Sequence, residues 1–335
     1  MTVVAHVSTI DSPPPADRMT AMMARYLGPA IVAALLDDDV TEVYRNSHDG
    51  AIHLDTRSRG RVDSGGRLDA TRAIMFLNAA AAAAHTTLSP SSPRLETELL
   101  GAPFHGSRLQ GFVPPVCSAP AFNIRKPPAM VYSLDHYVST AGLKLDQRAA
   151  IADAVITRRN VLIAGGTNSG KTTLANAVLR EIAERCPAER VVILEDTIEL
   201  QCLAPDHLAL RTGADVTLAD LVRSTMRTSP DRIVVGEVRG AEALDLLDAW
   251  ATGHPGGIAT VHASSAEGAL VRLDRLARRA NVPSQRELIA EAIHLIVVMN
   301  GRGRQRRATE VARVVGLDDG GRFLLQQLTS TGEWI

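Results

Sequence analysis

Lysine is nearly absent from this chain: of its 36 basic residues only Lys126, Lys144 and Lys171 are lysines. The weight of arginine and alanine that replaces it reads as the codon bias of a GC-rich genome before it reads as function. Aromatic side chains are equally scarce, at 3% of the sequence. Basic stretches interleaved with stacking rings are therefore missing, and direct nucleic-acid binding is not supported. The three cysteines, Cys117, Cys186 and Cys202, lack C-x-x-C or Cys/His spacing. That excludes a disulfide framework or a zinc site and fits a reducing cytoplasm. No apolar run approaches the ~18–20 residues a membrane span needs. The N-terminus, with Asp11 and Pro13 to Pro15, lacks the basic-then-apolar layout of a signal peptide. A soluble protein is expected, and a net charge of −1 gives no global argument for a polyanionic partner.

What is present suggests two domains, since 335 residues exceed one ordinary core. Residues 1–17 are polar and proline-interrupted and read as a flexible tail. Residues 18–126 read as an α+β domain. It has helical spacing over 19–36 broken at Gly28-Pro29, strands near 41–45 and 51–55, and an alanine-rich helix capped by Asp69. Several short strands follow over 94–126. Residues 127–146 read as a linker opened by Pro127-Pro128. Residues 147–335 alternate continuous apolar strands (191–194, 232–236, 257–261) with helices. This is the pattern of an α/β domain whose mostly parallel sheet is covered on both faces. Three closing strands are expected over 294–328. The arginine-rich 301–307 stretch between two of them reads as a solvated hairpin tip, with contact to nucleic acid or acidic lipid as the alternative.

Within the α/β domain, the apolar run 161–164 leads into Gly165-Gly166-Thr167-Asn168-Ser169-Gly170-Lys171-Thr172-Thr173 and then a helical pattern. Strand, glycine-rich loop and helix in that order form a phosphate-binding loop. Its backbone N–H groups and the helix N-terminus face phosphate oxygens. Lys171 reaches the β/γ-phosphates, and the Thr172 hydroxyl sits on Mg2+. Asn168 stands where many such loops carry glycine, and asparagine tolerates left-handed backbone better than most residues.

Three further segments narrow the chemistry. Glu195, Asp196 and Glu199 cluster just after a strand, where carboxylates hold Mg2+ or orient an attacking water. Glu237 ends another apolar strand, a position suited to Mg2+ or its water shell. His254 and His262 flank a third strand. Their spacing matches no standard metal site, and each reads either as a donor near the γ-phosphate or as a core or capping histidine. No lysine follows an asparagine as a guanine-binding element requires, so ATP is expected.

These segments in this order resemble the secretion ATPase superfamily of type II secretion, type IV pili and type IV secretion. The likeness is strongest to the conjugative-transfer TrbB-type branch. It is carried by the phosphate loop and by Leu27-Gly-Pro-Ala30, Ala121-Phe-Asn-Ile-Arg-Lys-Pro127, Gly236-Glu-Val-Arg-Gly240 and Ala249-Trp-Ala-Thr-Gly-His-Pro-Gly256. It runs from about residue 20 to the end. The resemblance implies a RecA-like P-loop NTPase domain after a smaller PAS-like domain, a hexameric homo-oligomer, and ATP hydrolysis with Mg2+. It assigns Glu195 to the nucleotide-binding set, Glu199 to positioning the attacking water and Glu237 to the Mg2+ shell. It assigns His262, and with it His254, to sensing the γ-phosphate. Arg125 and then Arg108 become the N-terminal-domain arginines that neutralise transition-state charge, although Arg108 also reads as an ordinary surface arginine. The expected protein is a cytoplasmic motor, peripheral at the inner membrane and docked on conjugation or secretion channel proteins. A type IV pilus or type II secretion motor and a nucleotide-gated assembly scaffold are the alternatives.

Overall fold

Gly28 cannot continue the helix before it, because its backbone is left-handed at φ 84°, and Pro29 opens the next one. This break separates α1 (Pro15–Leu27) from α2 (Pro29–Leu36) in the computed structural model, which describes residues 15–127, 130–213, 215–329 and 331–335. The tail read over 1–17 lies outside the described residues up to 14, and from Pro15 the chain is already helical. The fold divides into two units, Met1–Ala129 and Met130–Ile335.

In the first unit β1 (Val40–Arg45), β2 (Ala51–Thr56) and β3 (Gly60–Arg67) form a meander. Then come α3 (Ala70–Ala83), β4 (Arg94–Leu99), β5 (Ser107–Phe112) and β6 (Ala121–Arg125). The six strands make one antiparallel sheet in the order β3-β2-β1-β6-β5-β4. Asp69 caps α3 by accepting from the Arg72 N–H at 2.8 Å. Phe76 and Leu77 of α3 are fully buried with Leu109 and Ile124 of the sheet and Met23 and Leu27 of α1.

The second unit begins inside the expected linker. α4 (Leu134–Ser139) is capped by Ser133, and its Leu134 and Tyr137 belong to this unit's core, so 127–146 is not a free connection. The chain continues through α5 (Leu145–Ile156), β7 (Val161–Gly165), α6 (Lys171–Arg185), β8 (Val191–Glu195), β9 (His207–Arg211) and α7 (Leu218–Thr225). β10 (Arg232–Val235), α8 (Glu242–Ala251), β11 (Ile258–Val261), α9 (Ala266–Ala277), α10 (Arg286–Ala292), β12 (Leu295–Asn300), β13 (Arg307–Leu317) and β14 (Phe323–Gln327) complete it. The eight strands are ordered β14-β13-β12-β7-β11-β10-β8-β9. All are parallel from β12 to β9, while β13 and β14 add an antiparallel margin. Burial on both faces follows the two-residue period of a strand. Leu162, Val192, Ile233 and Ile296 pack with α7 to α10 on one face. Val161, Ile163, Val191 and Val297 pack with α4 to α6 on the other.

At the amino-terminal edge of this sheet Arg232 is wholly buried. Its guanidinium pairs with Glu189 and donates to the carbonyls of Gly256 at 3.0 Å and Val155 at 2.8 Å. Glu189 also receives Arg158 at 2.8 Å. Burial pushes the Glu189 carboxyl up, but the two arginines outweigh it and hold it below the usual carboxylate range. Beside this network Trp250 Nε1 donates to the Ile233 carbonyl at 3.1 Å, directly against Gly257. A side chain on Gly257 would fall inside van der Waals contact of both groups, one of them backbone that cannot yield. Gly257→Ala should therefore lower stability by about 2–3 kcal/mol, seen as a lower urea midpoint at unchanged slope. Gly166→Ala, where nothing lies within 4 Å, should leave the midpoint in place.

Candidate active site

Because β7, β8, β10 and β11 are parallel, the loops leaving their carboxyl ends share one edge of the sheet. β7 delivers the glycine-rich loop. Gly165 has no room for a side chain, since a Cβ would lie 2.5 Å from the Met299 carbonyl oxygen of β12. Asn168 is left-handed at φ 62°, as its residue type allows, and Gly170 is left-handed at φ 93°. Gly166 and Thr167 are exposed, so the loop is open to solvent, while Thr172 and Thr173 lie half-buried in the first turn of α6.

Lys171 is buried under this loop, and its Nζ donates to the Gly165 and Gly166 carbonyls at 3.0 Å each. Burial pushes its ammonium below the ordinary lysine range, against the pull of Glu237 and Glu199. The same Nζ lies 3.3 Å from His262 Nδ1 at the end of β11. An ammonium can only donate, so Nδ1 accepts and the imidazole carries its proton on Nε2. That Nε2 lies 2.9 Å from Glu237 Oε1. The pair is at ion-pair distance without hydrogen-bond alignment, and Oε1 is buried without a hydrogen-bond donor among the described residues. Glu237 Oε2 accepts from Arg239 at 2.6 Å. Burial pushes the Glu237 carboxyl up, but Arg239, with Lys171 beside it, holds it below the ordinary range.

The three acids after β8 have three different surroundings. Asp196 is exposed. Glu199 accepts the Thr172 hydroxyl at 3.1 Å through Oε2. Glu195 turns inward to a position only 5% exposed, where its Oε1 accepts the backbone N–H groups of Glu199 at 3.0 Å and Leu200 at 2.9 Å. It packs over Gly236, whose missing side chain makes the space. Glu195, expected among the nucleotide-binding residues, thus spends its carboxylate on shaping the loop that presents Glu199. Asn176 of α6 completes that support, donating to the Glu199 carbonyl at 3.1 Å and accepting the Gln201 N–H at 2.8 Å. Sequence reasoning passed over Asn176 and Arg239. An asparagine set between two alanines in the middle of the helix, and an arginine two residues after the acid, are the signals available.

The two histidines part company. His254 precedes β11 and sits at the sheet's other edge, its Nδ1 3.1 Å from the Pro230 carbonyl ahead of β10. The strand that separates them brings only His262 to Lys171, and His254, at its other end, lies away from the phosphate loop as a capping histidine. In the first unit Arg108 and Arg125 are directly opposed across β5 and β6. Arg125 pairs with Glu42, itself opposite on β1, and Arg108 lies 3.5 Å from Glu96.

The donor set fits an anion with a magnesium ion. Ser169 Oγ in the loop and Glu237 Oε1 beneath it are buried polar atoms without hydrogen-bond partners among the described residues. The one can serve a phosphate oxygen and the other a metal-bound water. No cluster of three or more His, Cys, Asp or Glu able to hold a metal alone occurs among the described residues. This suits Mg2+, which is usually taken with substrate phosphates and few protein ligands.

Burial dominates Glu195 and raises its pKa from 4.5 to about 7, against the two N–H groups that favour the anion. The folded protein then holds a proton there that the unfolded chain has lost. Its contribution to stability is present below about pH 4.5 and falls as pH rises towards 7, by at most about 1.4 kcal/mol per unit. Glu195→Gln keeps an acceptor for both N–H groups and should remove this slope, as measured by urea unfolding between pH 5 and 8.

The family described as type II/IV secretion system protein matches residues 114–307. A probable conjugal transfer protein TrbB of Sinorhizobium fredii is 41% identical over 297 residues, spanning 89% of this chain and 90% of that protein. The conjugal transfer protein TrbB of Rhizobium radiobacter is 40% identical over 299 residues, 89% of this chain and 91% of its own length. Among solved structures, the ATPase DotB of Legionella pneumophila aligns over 95% of this chain and 82% of its own. Its TM-score is 0.58 at 20% identity, a likeness of fold.

Proposed function

Because the chain belongs to the type II/IV secretion system protein family, we propose that it is the ATP-hydrolysing motor of a conjugative type IV secretion system. The observation that carries this reading is the unbroken run of contacts at one sheet edge: Glu199 to Thr172, and Glu237 through His262 to Lys171. The names of the two relatives supply conjugal transfer. In this reading the second unit is a RecA-like P-loop NTPase domain and the first a PAS-like domain. The protein assembles as a hexameric homo-oligomer on inner-membrane channel proteins and works from the cytoplasmic side. No helix among the described residues is long and apolar enough to cross a membrane.

ATP enters with its phosphates over the loop N–H groups of residues 165–173. Lys171 then exchanges the carbonyls of its own loop for phosphate oxygens, and its depressed affinity for a proton reverses as the anion arrives. Mg2+, when bound, neutralises charge on the phosphates, held by Thr172 with a carboxylate and its water shell. Two carboxylates face this position and their tasks differ. Glu199, presented by Glu195 and Asn176, is read as orienting the attacking water, and Glu237 as ordering the metal's water shell. The Thr172–Glu199 hydrogen bond at 3.1 Å supports a second reading, in which Glu199 serves the metal and Glu237 the water. His262 accepts from Lys171 at Nδ1 and lies 2.9 Å from Glu237 Oε1 through Nε2, which suits a group that senses the γ-phosphate. Arg125, then Arg108, are the proposed arginines of the first unit that neutralise charge in the transition state.

Lys171→Ala should abolish steady-state phosphate release, a loss of at least about 10²–10³-fold. Glu199→Gln should bind ATP normally and hydrolyse it about 10²–10⁴-fold more slowly. If Glu199→Gln instead turned over normally with a raised Mg2+ requirement, the base would be Glu237. Arg125→Ala should keep nucleotide affinity and lose about 10³-fold in turnover, and unchanged turnover would remove it from the site.

A further inference from the structure

The arginine-rich stretch between β12 and β13 does not behave wholly as a solvated hairpin tip. Its chain closes on itself at Gly301, where an added Cβ would strike the Gln305 carbonyl, and Ala308 N–H is bonded to the Gly142 carbonyl at 2.8 Å. Arg302 and Arg307 point to solvent. Arg306 instead is half-buried, and its Nε donates to the Asn168 carbonyl of the phosphate loop at 3.0 Å. Its aliphatic stem lies against Gly170, with Cδ 3.2 Å from where a Cβ would stand. One side chain from outside every recognised motif therefore touches both left-handed residues of the loop, Asn168 and Gly170.

In an anion-binding nest the N–H groups converge on the ligand and the carbonyls turn outward. A donor that takes a loop carbonyl grips the loop from behind. We propose that Arg306 is a positioning residue for nucleotide binding: it clasps the outer side of the phosphate loop and holds Asn168 in the left-handed conformation that glycine would adopt freely. The inference rests on the assignment of this loop to nucleotide phosphates. Asparagine at 168 carries a conformational cost that glycine lacks, and a fixed hydrogen bond from the hairpin offsets it. The guanidinium also brings a positive charge behind the loop without occupying the ligand's side.

The test uses the full-length protein and MgADP binding by calorimetry, with ATP turnover alongside. Arg306→Ala should weaken MgADP about tenfold and raise KM similarly, with kcat changed little, the factor expected for one lost charge-assisted hydrogen bond. Arg306→Lys, which keeps a donor for one carbonyl, should recover part of the loss. In an Asn168→Gly background the Arg306→Ala penalty should shrink, because the residue no longer needs holding. Unchanged MgADP affinity in Arg306→Ala, or an equal penalty in both backgrounds, overturns the proposal. If Arg306→Ala does not fold, Arg306→Lys is compared with and without the Asn168→Gly substitution, and the same non-additivity decides. Lys171→Ala separates the two levels: if it too leaves MgADP binding intact, the nucleotide reading itself fails. If it abolishes binding while Arg306→Ala does not affect it, only the clasp falls.

Discussion

The parallel pairing of β7 with β11 on one side and β12 on the other is the constraint on which the site depends. A parallel strand buried on both faces has no freedom of register, because a one-residue slip would exchange its two apolar sets between unlike helical layers. With register fixed, Lys171 and His262, distant in sequence, come within 3.3 Å. Glu237, just past the end of β10, joins them at 2.9 Å from His262. Each of these polar groups is costly to bury alone, and each is offset by the next, so the cluster is maintained as a unit.

Much of this was legible because its signals are local. The strand-loop-helix order around Lys171 and the continuous apolar strands needed only spacing and residue type. The elements that escaped lack such a signal. β3 reads Gly-Arg-Val-Asp-Ser-Gly-Gly-Arg, an edge strand with little to bury, and β9 alternates exposed and half-buried positions at the other sheet's margin. α4 is too short for periodicity to show, and only the burial of Leu134 and Tyr137 ties it to a core.

The site shows the same limit. Residue type identified the acids after β8, yet nothing in Glu195-Asp196-Thr197-Ile198-Glu199 says which carboxylate faces inward. That is decided by the space above Gly236 and the N–H groups it exposes, both set by tertiary packing. His254 and His262 look equivalent in sequence because each adjoins the same strand, and strand direction alone separates them. Arg306 was hidden among similar arginines, since which one turns inward depends on how Gly301 closes the hairpin.

The two ends of the central strands are built from different materials. At one end the Arg232 guanidinium and the Trp250 indole are locked to backbone carbonyls, and Glu189 pairs with the remaining edge of the guanidinium. At the other end Ser169 Oγ and Glu237 Oε1, without hydrogen-bond partners among the described residues, keep valences that a substrate can claim. Inherited changes should sort by strand end in consequence. A substitution near Arg232 should lower the stability of the folded chain. One near Lys171 should leave the chain folded with its anion site impaired.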